Sequence, residues 1–172
     1  MRFSGEERMR LISSRRHERI PAVAAWLGGL GIVPFGLAAA ALWFGPEAAR
    51  AHAVPVVMVY AAVILSFLGG LVWGAASAAT IDEPWNPDLG QLLALGVVPS
   101  LVGWAAVFLP PTAGLGVMAA AFLAVLALDA RLAALNMVPP WWMKLRRRLS
   151  VAVAALLVVV ILALVTPSAA GS

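Results

Sequence analysis

The sequence contains no cysteine, which removes disulfides, thiolate catalysis and cysteine-ligated zinc or iron–sulfur centres together, and leaves the redox compartment unmarked. Charge is scarce as well. Only 12% of the 172 residues are Asp, Glu, Lys or Arg, about half of what a soluble domain carries. The two histidines, His17 and His52, fall outside the apolar stretches, without a partner that would make either one a base or a ligand. No nucleophile–base pair and no glycine-rich phosphate loop is present. These absences point to a nonenzymatic chain that needs no cofactor and no metal.

What remains is apolar. Hydrophobic residues make up 63% of the chain and the mean hydropathy is +0.96, which places it in a bilayer. Ala53 to Ala79 is a run of 27 residues without a charge, roughly 40 Å as a helix against a hydrocarbon core of ~30 Å. Charges and prolines divide the apolar sequence into five expected transmembrane helices, at about 20–44, 53–79, 89–109, 112–135 and 149–166. An all-α bundle over residues 20–166 follows, with a basic tail at 1–19 and a short tail at 167–172. Pro110-Pro111 interrupts an apolar run too long for one span, so it reads as a turn between two helices.

The cations set an expected orientation. Arg2, Arg8, Arg10, Arg15, Arg16 and Arg19 precede the first span, and Arg131, Lys144, Arg146, Arg147 and Arg148 surround the last loop. With five spans all of these fall on one side and only Arg50 on the other, so the N-terminus is expected in the cytoplasm and the C-terminus outside. The pI near 11 is therefore read as topology rather than nucleic-acid binding. Ala51-His52-Ala53 has the form of a signal-peptidase site, but the apolar segment before it exceeds a typical h-region. Glu6, Glu7 and Glu18 contradict the acid-poor composition of a mitochondrial presequence. The expected location is the bacterial cytoplasmic (inner) membrane, as a multi-pass protein.

Five groups of residues are candidates for function. Ala62, Ser66, Gly70, Gly74 and Ala78 recur every four positions, with Gly69 beside them, and form a helix-packing surface for another helix. Pro34 and Pro99 each free a carbonyl one turn earlier, at Leu30 and Leu95, so the kinks they produce are expected to flank a cavity with Trp73, Ser100 and Trp104. Asp129, the one acid inside an apolar span, is expected near the cytoplasmic end of its helix, as an ion pair or proton site. Trp141, Trp142, Lys144, Arg146, Arg147 and Arg148 make a membrane-interface anchor that favours anionic lipid headgroups. The acidic loop from Thr80 to Gln91 places Asp82 and Glu83 towards Lys144 and Arg146 to Arg148, with Asp88 and Gln91 as a capping box. Trp26 and Trp43 add to the aromatic content of the spans, Trp43 at a span end.

Several of these phrases, read in order, resemble a known family. YAAVILSFLGGLVWG (60–74), GVVPSLVGW (96–104), Asp129 and PPWWMKLRRRLS (139–150), with GIVPF (31–35) before them, are similar to the signatures of an uncharacterised membrane-protein family, the domain of unknown function that includes transmembrane protein 69. The likeness runs from about Ile20 to Thr166 and departs at Leu71-Val72, where a polar or basic residue is common in the family. It implies a small helical membrane protein and supplies no reaction. Two functions stay open. One is a nonenzymatic assembly protein that packs its small-residue stripe within the bundle or on a membrane-protein partner. The other is a transporter or binder of a small apolar or lipid-like ligand, with Asp129 available to couple protons.

Overall fold

A computed structural model describes residues 19–79 and 87–166. These form five α-helices in succession: α1 (Ala22–Phe44), α2 (Glu47–Ala79), α3 (Pro87–Val107), α4 (Pro111–Ala134) and α5 (Trp142–Val165). Each is long and apolar enough to cross a membrane. The all-α bundle read from the sequence is therefore the architecture. Its outer surface carries large apolar side chains, such as Trp26 at 73% and Phe108 at 72% exposure, which water would not tolerate as a continuous surface and lipid does.

The boundaries follow local chemistry. Pro110 and Pro111 occupy the N-cap and first position of α4, where a missing N–H costs nothing, and the Gly114 amide donates to the Pro110 carbonyl at 2.9 Å. The expected turn between two spans is thus observed. Two helices start earlier than expected, α2 at Glu47 rather than 53 and α5 at Trp142 rather than 149. In α2 the acidic Glu47 stands in the first turn, matched to the positive end of the helix dipole, while Arg50 Nε donates to the Gly45 carbonyl at 2.9 Å and secures the α1–α2 corner. In α5 the cause lies upstream. Asn136 adopts φ 56°, a left-handed conformation that asparagine tolerates, and closes α4 with paired bonds from the amides of Asn136 to Ala133 and Met137 to Leu132. The Trp142 amide then donates to the Pro139 carbonyl, which restarts the helix at once.

α2 and α3 form the most extensive interface, and glycines set its closeness. A Cβ built on Gly69 would lie 2.3 Å from the Gly96 carbonyl oxygen, and one on Gly103 would lie 3.0 Å from the Ala62 Cα. The expected stripe divides between the bundle and the outer surface. Ala62 and Gly69 meet α3, but Ser66, Gly70, Gly74 and Ala78 are exposed, and a Cβ at Gly70 or Gly74 would have nothing within 4 Å. The face that packs is one residue out of phase with the stripe, because α2 buries its larger residues Leu65, Leu68 and Val72 alongside Gly69.

The main core lies between α1, α2, α4 and α5. Phe35 is wholly buried, its ring centroid 5.1 Å from that of Tyr60 and 5.9 Å from that of Phe122, the latter edge-on. A smaller core of Val72, Ala76, Leu92 and Leu132 fills the α2–α3–α4 end. α1 and α5 run parallel. Gly28 meets Leu149 near their N-terminal ends, and Trp43 Nε1 donates to the Val159 carbonyl at 3.4 Å near their C-terminal ends.

Candidate functional site

The early start of α5 carries charge into the bundle. Spacing of four residues puts Trp142, Arg146 and Ser150 on the helix face that continues into Val153, Ala154 and Leu157, and Arg146, Ser150, Val153, Ala154 and Leu157 are all buried. Opposite them, about one and a half turns before the end of α4, stands Asp129, 2% exposed. Its Oδ2 accepts a hydrogen bond from Arg146 Nε at 2.8 Å and its Oδ1 one from Trp142 Nε1 at 2.9 Å. The Arg146–Asp129 contact is an ion pair with both side chains buried. Both carboxylate oxygens are engaged, so Asp129 serves here as an ion-pair member that joins α4 to α5.

The expected anchor therefore divides. Lys144, Arg147 and Arg148 are exposed, as an interfacial anchor requires, and Trp141 is half-buried with its ring 6.0 Å from that of Trp142. Trp142 and Arg146 instead turn inwards to Asp129, a consequence of helical phase once α5 begins at Trp142. Arg131, which follows Asp129 by two residues, does not pair with it but donates from Nη1 to Gln91 Oε1 at 2.6 Å. α3 starts at Pro87, and Asp88 lies inside its first turn, matched to the positive end of the helix dipole. Asp82 and Glu83 lie outside the described residues, as does His17. His52 is exposed, with Nδ1 2.8 Å from the Ala48 carbonyl.

Beside the ion pair, α1, α2 and α5 enclose a lateral cleft of about 370 Å³. Gly28 and Gly31 open its α1 wall, Phe35, Phe122 and Val153 form its buried floor, and the exposed Leu27 and Phe67 stand at its rim. Trp142, Arg146 and Ser150 contribute the polar part of its lining. Two buried atoms of these residues, Arg146 Nη2 and Ser150 Oγ, have no hydrogen-bond partner.

This is not the cavity expected from the kinks. Trp73 and Trp104 point outwards, 50% and 64% exposed, because the close glycine contacts between α2 and α3 turn these indoles to the outer face. Pro99 is buried and lines a separate apolar cleft between α3 and α4, with Val102, Val117 and Val125. Pro34 and Ser100 are half-buried and line neither cleft. Near Pro34 the donor supplied is the Tyr60 hydroxyl, which bonds the Gly31 carbonyl at 3.1 Å, one residue beyond the expected Leu30. The sequence reading missed Gly28, Gly31 and Ser150 as a group. The signal for Ser150 was the four-residue spacing back from the apolar face of α5, extended through the cationic cluster.

Comparison with known proteins agrees with this architecture. The family described as protein of unknown function DUF3429 matches residues 20–162. Transmembrane protein 69 of Xenopus tropicalis is 34% identical over 139 residues, which is 76% of this chain and 50% of that protein. The chain thus spans about half the length of this curated relative. No solved structure matches.

Proposed function

The chain belongs to the DUF3429 family of proteins of unknown function, the family whose phrases the sequence resembles, and from that premise we propose that it is a nonenzymatic membrane protein that takes a lipid-like molecule into the cleft between α1, α2 and α5. One observation carries this reading: Arg146 and Ser150, each with a buried polar atom that has no hydrogen-bond partner, are among the residues that line an otherwise apolar cleft. Hydrocarbon offers no water to satisfy them, and a concave apolar site with a few convergent polar groups is the usual form of a ligand pocket. The nonenzymatic part is supported by the commitment of Asp129, the one intramembrane acid, to Arg146 and Trp142.

Native mass spectrometry of the tagged protein, purified in mild detergent from native membranes, tests it. A small-molecule adduct is expected on the wild type and is expected to be lost in Gly31→Leu, which fills the cleft from a position where a Cβ meets only the Tyr60 hydroxyl at 4.0 Å. Gly36→Leu is the control, since a Cβ there has nothing within 4 Å and the residue does not line the cleft. An adduct that survives Gly31→Leu overturns the reading.

A second reading, assembly with a membrane-protein partner, is favoured by the exposed Ser66, Gly70 and Gly74 face of α2, which admits the backbone of another helix. The same spectra decide it: a stoichiometric protein partner that dissociates in Gly70→Leu supports it, and a chain without any protein partner removes it.

For topology, the reading keeps the N-terminal end of α1 in the cytoplasm of a bacterial cell, with the exposed Arg131, Lys144, Arg147 and Arg148 on that side and Arg50 on the other. The exposed cations are also placed to favour anionic lipid headgroups. Because the chain has no native cysteine, single cysteines report its sides directly. A cysteine at Pro46 is expected to react with an impermeant maleimide on intact cells and one at Pro140 only after permeabilisation, and the reverse pattern inverts the orientation.

A further inference from the structure

The proposed ligand cleft has a polar end whose composition restricts what it holds. Arg146 and Ser150 are four residues apart on α5 and share one face. The first is 6% exposed and the second 1%. Arg146 Nε is committed to Asp129, yet a guanidinium carries five N–H groups in a planar fork, and its Nη2 remains without a partner, as does the Ser150 hydroxyl. The guanidinium can only donate and the hydroxyl can donate as well as accept, so a single acceptor oxygen is a complement that serves both.

Charge narrows the acceptor. The Asp129 carboxylate already balances the Arg146 guanidinium at 2.8 Å. An anion placed against Nη2 would bring a second negative charge to a site with one cation, and an uncompensated charge is costly in a low-dielectric interior. An uncharged carbonyl oxygen accepts both hydrogen bonds and leaves the balance at zero. The rest of the lining is apolar, from Phe35 and Val153 on the floor to Leu27 and Phe67 at the rim, and it suits the hydrocarbon body of such a molecule. Access is lateral, from the bilayer.

We infer that the cleft binds an uncharged amphiphile that carries a carbonyl at its polar end, with the carbonyl oxygen taken up by Arg146 Nη2 and Ser150 Oγ as these side chains turn to the cleft, and the apolar body directed past Leu27 and Phe67 into lipid. The inference rests on the reading of the cleft as a ligand site. Two sources supply this chemistry: the ester carbonyl of an acylglycerol and the ring carbonyl of a quinone.

Equilibrium binding to the detergent-purified full chain tests it, with dioctanoylglycerol and decylubiquinone as carbonyl probes, hexadecane as the apolar probe and palmitate as the anion. At least one carbonyl probe is expected to bind more tightly than hexadecane or palmitate, and which of the two binds identifies the source. Ser150→Ala is expected to weaken that probe about 3- to 10-fold, the loss of one hydrogen bond, without altering hexadecane binding. A merely structural hydroxyl would move both probes or neither, so that result overturns the proposal. Tighter binding of palmitate than of either carbonyl probe overturns the charge argument. If no carbonyl probe binds while the native adduct still depends on Gly31, the carbonyl assignment falls and the cleft reading stands. If no adduct depends on Gly31, the cleft reading itself falls.

Discussion

Asp129→Ala is expected to destabilise the bundle by about 3–5 kcal/mol, the cost of breaking a buried ion pair by removing one partner. The expected fall in Tm is on the order of 10 °C, measured by thermal unfolding in detergent. The loss is far larger than the ~0–1 kcal/mol of an exposed pair because Asp129 and Arg146 are 2% and 6% exposed. The variant strands Arg146 and deprives Trp142 Nε1 of its acceptor as well. The double variant Asp129→Leu/Arg146→Leu removes both charges and is expected to recover most of the stability, since apolar replacement of a buried pair is often neutral. A single variant as stable as the wild type would mean that water reaches the pair and screens it.

Gly69→Ala is expected to cost about 1–3 kcal/mol by overpacking, whereas Gly70→Ala, one residue on, is expected to be neutral or to stabilise slightly. The atoms decide the difference. A methyl group at Gly69 meets the backbone carbonyl of Gly96 at 2.3 Å, and no rotamer can relieve that contact, while at Gly70 it meets nothing within 4 Å. α2 and α3 must separate to admit the first and need not move for the second, where the added Cβ also reduces the chain freedom lost on folding. Gly96→Ala is expected to fall between, with 3.1 Å contacts to the Gly69 carbonyl oxygen and the Trp73 amide nitrogen. Thermal unfolding of the three variants measures the order, and equal effects at Gly69 and Gly70 would refute it.

Much of this fold was legible because a bilayer imposes a length and a polarity. The ends of α1, α3 and α4 fall within two residues of the expected positions, set by features such as Gly45-Pro46 and Pro110-Pro111. Helical phase was the harder quantity. A four-residue repeat picked out Gly70 and Gly74, but the interface follows Leu65, Leu68, Gly69 and Val72, since bulk buried on one side decides which small residues meet a neighbour. Kinks at Pro34 and Pro99 suggested one shared cavity, yet the two residues lie on different helices facing different neighbours.

The cationic cluster was misread for a related reason. Lys144, Arg146, Arg147 and Arg148 look alike as a string, and an interfacial role suits three of them. Arg146 differs only in being four residues before Ser150 and in phase with Leu157. That distinction becomes visible once the helix is known to begin at Trp142, and Asn136, whose left-handed backbone permits so short a connection, gives little sign of it in sequence.

The order of Asp129 and Arg146 along the chain also bears on biogenesis. The acid precedes its counter-ion by 17 residues, an interval of about one to three seconds at ordinary rates of synthesis. α4 alone is a compromised insertion substrate, and α4 with α5 is a complete one. The charges are matched only where α4 and α5 lie together, so the hairpin, rather than α4 alone, is the neutral unit that a bilayer admits at least cost.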